Sequence, residues 1–148
     1  MNEIILELPY PPSVNHYYRY VRSKFGVTCF IDARGQSYRD QVAWIVIEHK
    51  RARNKSIDEF YFLSERLSVE MYVYPPDHRV RDLDNIFKGF FDSLQCGVVF
   101  KNDNQIDKIY AERKEVVKNG KIIVHIKQIP SLKSEAVLKN EWMQRLLK

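Results

Sequence analysis

RLSVEMYVY at residues 66–74, then PP at 75–76 and DHRVRDLDNIFKGFFDSLQ at 77–95, is the stretch that decides the fold. The first nine residues alternate polar and apolar, the period of a strand with one buried face. Pro75 and Pro76 lack the N–H a sheet ladder needs, so the strand ends there. From Asp82 to Gln95 the period changes. Leu83, Ile86, Phe87, Phe90, Phe91 and Leu94 fall on one wide helical face, and Gly97 supplies a stop. A half-buried strand feeding an amphipathic helix points to a sheet with helices packed on it.

Outward from this pair, residues 3–8 (EIILEL) read as a buried strand, and 9–20 (PYPPSVNHYYRY), with three prolines in four residues, as a loop. Residues 25–31 read as a short strand. Tyr38, Val42, Ile45 and Val46 set a helix over 35–51 with a basic end. Residues 52–64 carry no clear signal, and 54–58 suit a surface loop. After the turn Lys101-Asn102-Asp103-Asn104, residues 106–117 and 121–127 read as a hairpin joined by Asn119-Gly120. Ser131 or Ser134 would cap an amphipathic helix carrying Val137, Leu138, Trp142, Leu146 and Leu147. The expectation is one α+β domain, a mixed β-sheet with flanking helices over residues 1–130, followed by a helical extension at 131–148.

The 148 residues suffice for a single core. With 45% hydrophobic and 29% charged residues, the composition is that of a globular protein. No apolar run is long enough for a membrane span, and the N-terminus has no export signal. Cys29 and Cys96 are far apart and lack a CxxC spacing, which argues against a zinc site and agrees with a reducing cytoplasm. The net charge of +5 suits a polyanionic partner.

The chemistry concentrates in Arg79 to Lys88. Asp82 and Asp84 stand two apart at the strand-to-helix junction; if residue 82 is still extended, both side chains point the same way. Carboxylates held together repel unless a cation lies between them, and Mg²⁺ takes such hard oxygen ligands, often together with substrate phosphate. Lys88 follows Asp84 by one helical turn and could pair with it or reach a phosphate; Asp92 lies one turn further. Asp103 in the following turn is a third carboxylate, and Asp107 a fourth candidate. Each also has an ordinary explanation: Asp84 as a helix cap or as the partner of Lys88, Asp103 as turn chemistry, Asp107 as a solvated strand residue.

Arg79, Arg81, Lys101 and Lys108 flank the acidic residues and offset repulsion of a phosphate backbone. In the tract from Asn15 to Tyr20, most aromatics read as packing beneath a loop, with Asn15 and Arg19 the better DNA contacts. His16 and His125 read as structural. No phosphate-binding loop of the ATPase type occurs.

LPYPPSVNHYYRY, GQSYRDQVA at 35–43, YPPDHRVRDLDNIFKGFFDSL at 74–94 and NDNQI at 102–106 together resemble the RusA family of Holliday junction resolvases, in family order over about residues 5–127. The RDLDN-xx-K segment is the most specific. The resemblance implies a RusA-like fold, Asp82, Asp84 and Asp103 as metal-binding catalytic residues, Lys88 as a further catalytic residue, and Mg²⁺ as cofactor, with Mn²⁺ as a substitute. It also implies a homodimer that cuts four-way DNA junctions by paired nicks. The family often has two adjacent acidic residues where this chain has Asn102-Asp103, so only Asp103 inherits that role. A Mg²⁺ nuclease for flaps or other branched DNA, and a junction-binding protein that does not cut, are the alternatives.

Overall fold

The computed structural model describes residues 2–131 and 143–147. Its main sheet has four strands in the order β1-β6-β4-β5. These are β1 (Glu3–Pro9), β4 (Arg66–Tyr74), β5 (Ile106–Arg113) and β6 (Lys121–Ile129). β6 runs antiparallel to both β1 and β4, while β4 and β5 are parallel. A parallel pair needs a long crossover, which residues 75–105 supply with helix α3 (Phe87–Cys96). The architecture is α+β with a mixed sheet, as expected.

The strands are legible in their burial. Ile4, Leu6 and Leu8 of β1, Leu67, Val69, Met71 and Val73 of β4, and Ile122, Val124 and Ile126 of β6 are all buried. This face joins Tyr38, Val42 and Val46 of α2 (Ala33–Arg51) and Phe90, Phe91 and Leu94 of α3 in a single core. The opposite face carries ion pairs, among them Lys127 with Glu70 and Lys121 with Glu7. Asp32 caps α2, its side chain accepting from the Arg34 N–H at 3.1 Å.

Three expectations are corrected. Residues 106–117 and 121–127 do not form a hairpin, because β4 lies between β5 and β6. The Asn119-Gly120 turn is real, with φ of 67° and 64°, but it belongs to a connection that passes over the end of β4. The N–H groups of Lys114 and Val117 donate to the carbonyls of Val73 and Pro75. Gly120 is required there, since a Cβ would lie 2.9 Å from Pro76 N, Tyr10 Cβ and Tyr74 O. Second, the proline-rich loop is only residues 10–13; α1 (Val14–Tyr17) and β2 (Tyr18–Ser23) follow, and β2 pairs with β3 (Gly26–Ile31) as a separate two-stranded ribbon. Third, the helix read from Asp82 begins as one 3₁₀ turn, Asp84–Ile86, with Asp82 and Leu83 outside it.

The amphipathic helix expected over 131–148 falls mostly outside the described residues. Among the described residues no helix is long and apolar enough to cross a membrane.

Candidate active site

The short helix α1 is the wedge that organises the site. Tyr17 is fully buried between α2 and α3, and both helices have a glycine where it crosses them. A Cβ on Gly89 would come within 2.6 Å of the Tyr17 ring, and one on Gly35 within 2.4 Å of its carbonyl oxygen. The Tyr17 hydroxyl is bonded to Ser93 Oγ at 2.8 Å and accepts from Arg39 Nε at 2.7 Å. This places the next residue, Tyr18, against the outer side of α3.

There Tyr18 meets Lys88. The phenol donates to the Asp92 carboxylate. Lys88 Nζ lies 3.3 Å from Asp92 Oδ2 and 5.4 Å from the centre of the Tyr18 ring. Burial and the bond to Asp92 raise the Tyr18 pKa, keeping it a proton donor. Lys88 thus has a fixed seat on Asp92 and the tyrosine face, while its side chain remains 64% exposed and able to meet a ligand. The sequence reading noted Asp92 as a neighbour but gave no role to Tyr18, which lies 74 residues away from Asp92.

The ordinary explanations offered for Asp84 and Asp103 do not describe them. Asp84 opens the 3₁₀ turn without capping it, for Leu83 is the capping residue and no side-chain cap bond forms. Its proposed partner Lys88 is paired with Asp92. In the 103–105 turn, Asn102 does the capping: its side chain accepts from Asn104 N at 2.9 Å, and Gln105 Oε1 accepts from Asn102 N at 2.9 Å. Buried Gln105 fastens this turn by donating to the carbonyls of Phe62 and Glu65. Asp103 is left exposed beside it. Among the described residues, Asp82, Asp84 and Asp103 have no ion-pair or side-chain hydrogen-bond partner.

Other acids nearby are neutralised. Asp107 accepts from Arg66 Nε at 2.9 Å, and this bond lowers its pKa. Asp77 accepts both nitrogens of the Arg81 fork, Nη2 at 2.9 Å, and is held well below the usual carboxylate range, mainly by that bond. The Asp107 candidate is therefore a structural partner of Arg66, and the Arg81 fork is engaged. Arg79 is different: its side chain is 84% exposed and lies 3.9 Å from Asp77.

Asp82 borders a cleft of about 550 Å³ between the proline-rich loop and residues 76–86, shared with Arg79, Arg81 and His16. Asn15, Arg19, Lys101 and Lys108 are exposed elsewhere on the surface.

The alternation expected to aim Asp82 and Asp84 together does not apply, because Leu83 is helical (φ −65°, ψ −34°). Among the described residues, no three His, Cys, Asp or Glu side chains stand close enough to hold a metal ion. Asp82, Asp84 and Asp103 are thus not gathered into a closed ligand set. Their donor chemistry nevertheless fits a hard divalent cation, which takes one or two carboxylates and completes its shell with water and substrate phosphate.

The chain matches the family model described as Endodeoxyribonuclease RusA over residues 9–127. It is 36% identical over 132 residues to the crossover junction endodeoxyribonuclease of Enterobacteria phage HK97, covering 89% of this chain and 100% of that protein. It is 33% identical to the proteins of the same name from Escherichia coli K12 and Enterobacteria phage 82, over 87% of this chain and 98% of each relative. The matched span contains every candidate residue from Asn15 to Lys108, and the chain belongs to the RusA endodeoxyribonuclease family.

Proposed function

We propose that this protein is a Mg²⁺-dependent endonuclease that resolves four-way DNA junctions by paired nicks. The observation that carries this reading is the set of three exposed carboxylates, Asp82, Asp84 and Asp103, without cationic partners among the described residues, in a basic protein of this family. A protein that only bound DNA would gain nothing from carboxylates facing phosphate.

Asp82 and Asp84, with Asp103, would hold Mg²⁺ or Mn²⁺ against the scissile phosphate. The bound ion would polarise a phosphoryl oxygen and make its water a stronger nucleophile. Lys88, seated on Asp92 and Tyr18, places a positive charge where negative charge grows on the phosphate during hydrolysis. Arg79 offsets the repulsion between the acidic residues and the DNA backbone. With one site per chain and a substrate of two-fold symmetry, paired nicks require two chains, hence a homodimer. The place of action is the cytoplasm.

The test is incubation with labelled four-way, flap and linear duplex DNA, with and without Mg²⁺. Symmetric, Mg²⁺-dependent nicking of the four-way substrate is expected. Asp82→Asn, Asp84→Asn and Asp103→Asn should each abolish nicking and keep junction binding, since each removes both a ligand and a repulsive charge. Preference for flaps, or a monomeric mass at concentrations where junctions are cut, would refute the reading.

A further inference from the structure

Among the described residues the β2–β3 ribbon is the longest exposed stretch. Every residue from Arg19 to Phe30 is exposed. Tyr20 is 63%, Val27 62% and Phe25 89% accessible. A two-stranded ribbon by itself is marginal in water, and clustered exposed apolar side chains mark a contact surface. The ribbon is secured at its root, where Tyr18 packs beside Lys88 and Asp32 N donates to Tyr17 O at 2.9 Å.

Charge identifies what covers it. Arg19, Arg22 and Lys24 lie in the ribbon, and no acidic residue occurs from Tyr18 to Ile31. Two copies meeting through this surface would bring like charges together, whereas a polyanion complements it. The register adds direction. Tyr18 opposes Ile31, Tyr20 opposes Cys29 and Arg22 opposes Val27, so these pairs share one face. From Lys88 outward this face presents Tyr18, Tyr20 and Arg22 in steps of about 7 Å.

We propose that this face of the β2–β3 ribbon is a DNA-contacting arm, in which Tyr20 stacks on the open face of a base pair at the branch point and Arg22 meets the adjoining phosphate. The proposal rests on the branched-DNA reading and deepens it: the arm would supply the preference for branched over linear DNA, because an opened branch point bares base-pair faces that the interior of a duplex keeps stacked.

The experiment uses the full chain carrying Asp82→Asn, which is expected to bind without cutting. Affinities for a four-way junction and for a linear duplex of equal length are measured for this parent and after adding Tyr20→Ala or Arg22→Ala. Tyr20→Ala should weaken junction binding about tenfold to a hundredfold and duplex binding far less. Arg22→Ala should weaken both and lower the salt dependence by about one phosphate contact. In a Cys96→Ser background, junction DNA should slow maleimide labelling of Cys29, which opposes Tyr20. A parent that binds junctions normally, with both variants matching it and Cys29 equally reactive, overturns the arm and leaves the nuclease reading standing. Protection of Cys29 by raised protein concentration without DNA makes the ribbon a contact between copies and also overturns the arm. A parent with no preference for junctions overturns both.

Discussion

Lys88 is paired with Asp92, whose carboxylate lies 3.3 Å away, and not with Asp84, the acid one helical turn in the other direction. Among the described residues Asp84 is thereby left without a cation, and Lys88 is held by a carboxylate that itself accepts from Tyr18. One change of partner separates the acidic side of the site from its basic side.

Lys88→Ala should therefore cost activity far more than stability. An exposed ion pair contributes at most about 1 kcal/mol, so the melting temperature should barely move. Loss of a positioned charge aimed at the transition state should lower single-turnover cleavage roughly 10²–10³-fold. Lys88→Arg should rescue little, because a planar guanidinium does not place its charge where the compact ammonium does. Near-normal cleavage by a folded Lys88→Ala protein would reduce Lys88 to a surface ion pair.

Arg79 and Arg81 should differ despite their proximity. Arg79→Ala is expected to weaken DNA binding uniformly across sequences and to reduce the slope of log K against log salt by about 0.9. Arg81→Ala should instead lower thermal stability, because it removes the guanidinium fork that closes on Asp77. Equal salt slopes for the two variants would contradict this division.

The same lock gives an acid limb to stability. Arg81 holds the Asp77 carboxyl below its ordinary value of 3.8. As pH falls, the unfolded chain therefore takes up this proton before the folded one. The stabilisation is whole above about 3.8 and drains away as pH drops further through the folded value. Melting curves of the wild type and Asp77→Asn should differ most near neutral pH and converge in acid; a difference that persisted there would assign the effect to something other than the carboxylate.

Lys50 is an independent test of the core. It is fully buried, and its Nζ donates to the carbonyls of Ile57 and Val98, each at 3.0 Å. Lys50→Met keeps the apolar stem and strands both acceptors, so it should destabilise by roughly 1–3 kcal/mol in denaturant melts. Cleavage by the protein that remains folded should be unchanged.

Strand β4 was legible because its inward residues are apolar without exception, and α2 because Tyr38, Val42 and Val46 repeat at helical spacing on its buried face. The β5–β6 hairpin was misread for a physical reason: Asn-Gly reports only that the chain turns, and the local sequence cannot say whether a third strand lies between the arms. The β2 strand escaped notice because, with both faces wet, it has no burial alternation to display. At the site, the candidate acids and Lys88 were visible as a motif. The Tyr18 contact depends on Tyr17 wedging over Gly35 and Gly89, a close approach that no spacing along the chain announces. The capture of Arg81 by Asp77 has the spacing of an ordinary one-turn pair, but spacing alone does not say which of Arg79 and Arg81 closes on that carboxylate.

The place of β6 imposes a schedule on the nascent chain. Residues 82–103 leave the ribosome well before β6, yet β6 joins β1 to β4, pairing Glu3 with Lys127 at one edge and Arg66 with Ile129 at the other. Until that strand is available, the platform beneath α2 and α3 is split and the core side chains of β1 and β4 lack their shared neighbour. A translation product that stops before residue 121 carries the full acidic motif without the scaffold that positions it, so cutting competence waits for β6.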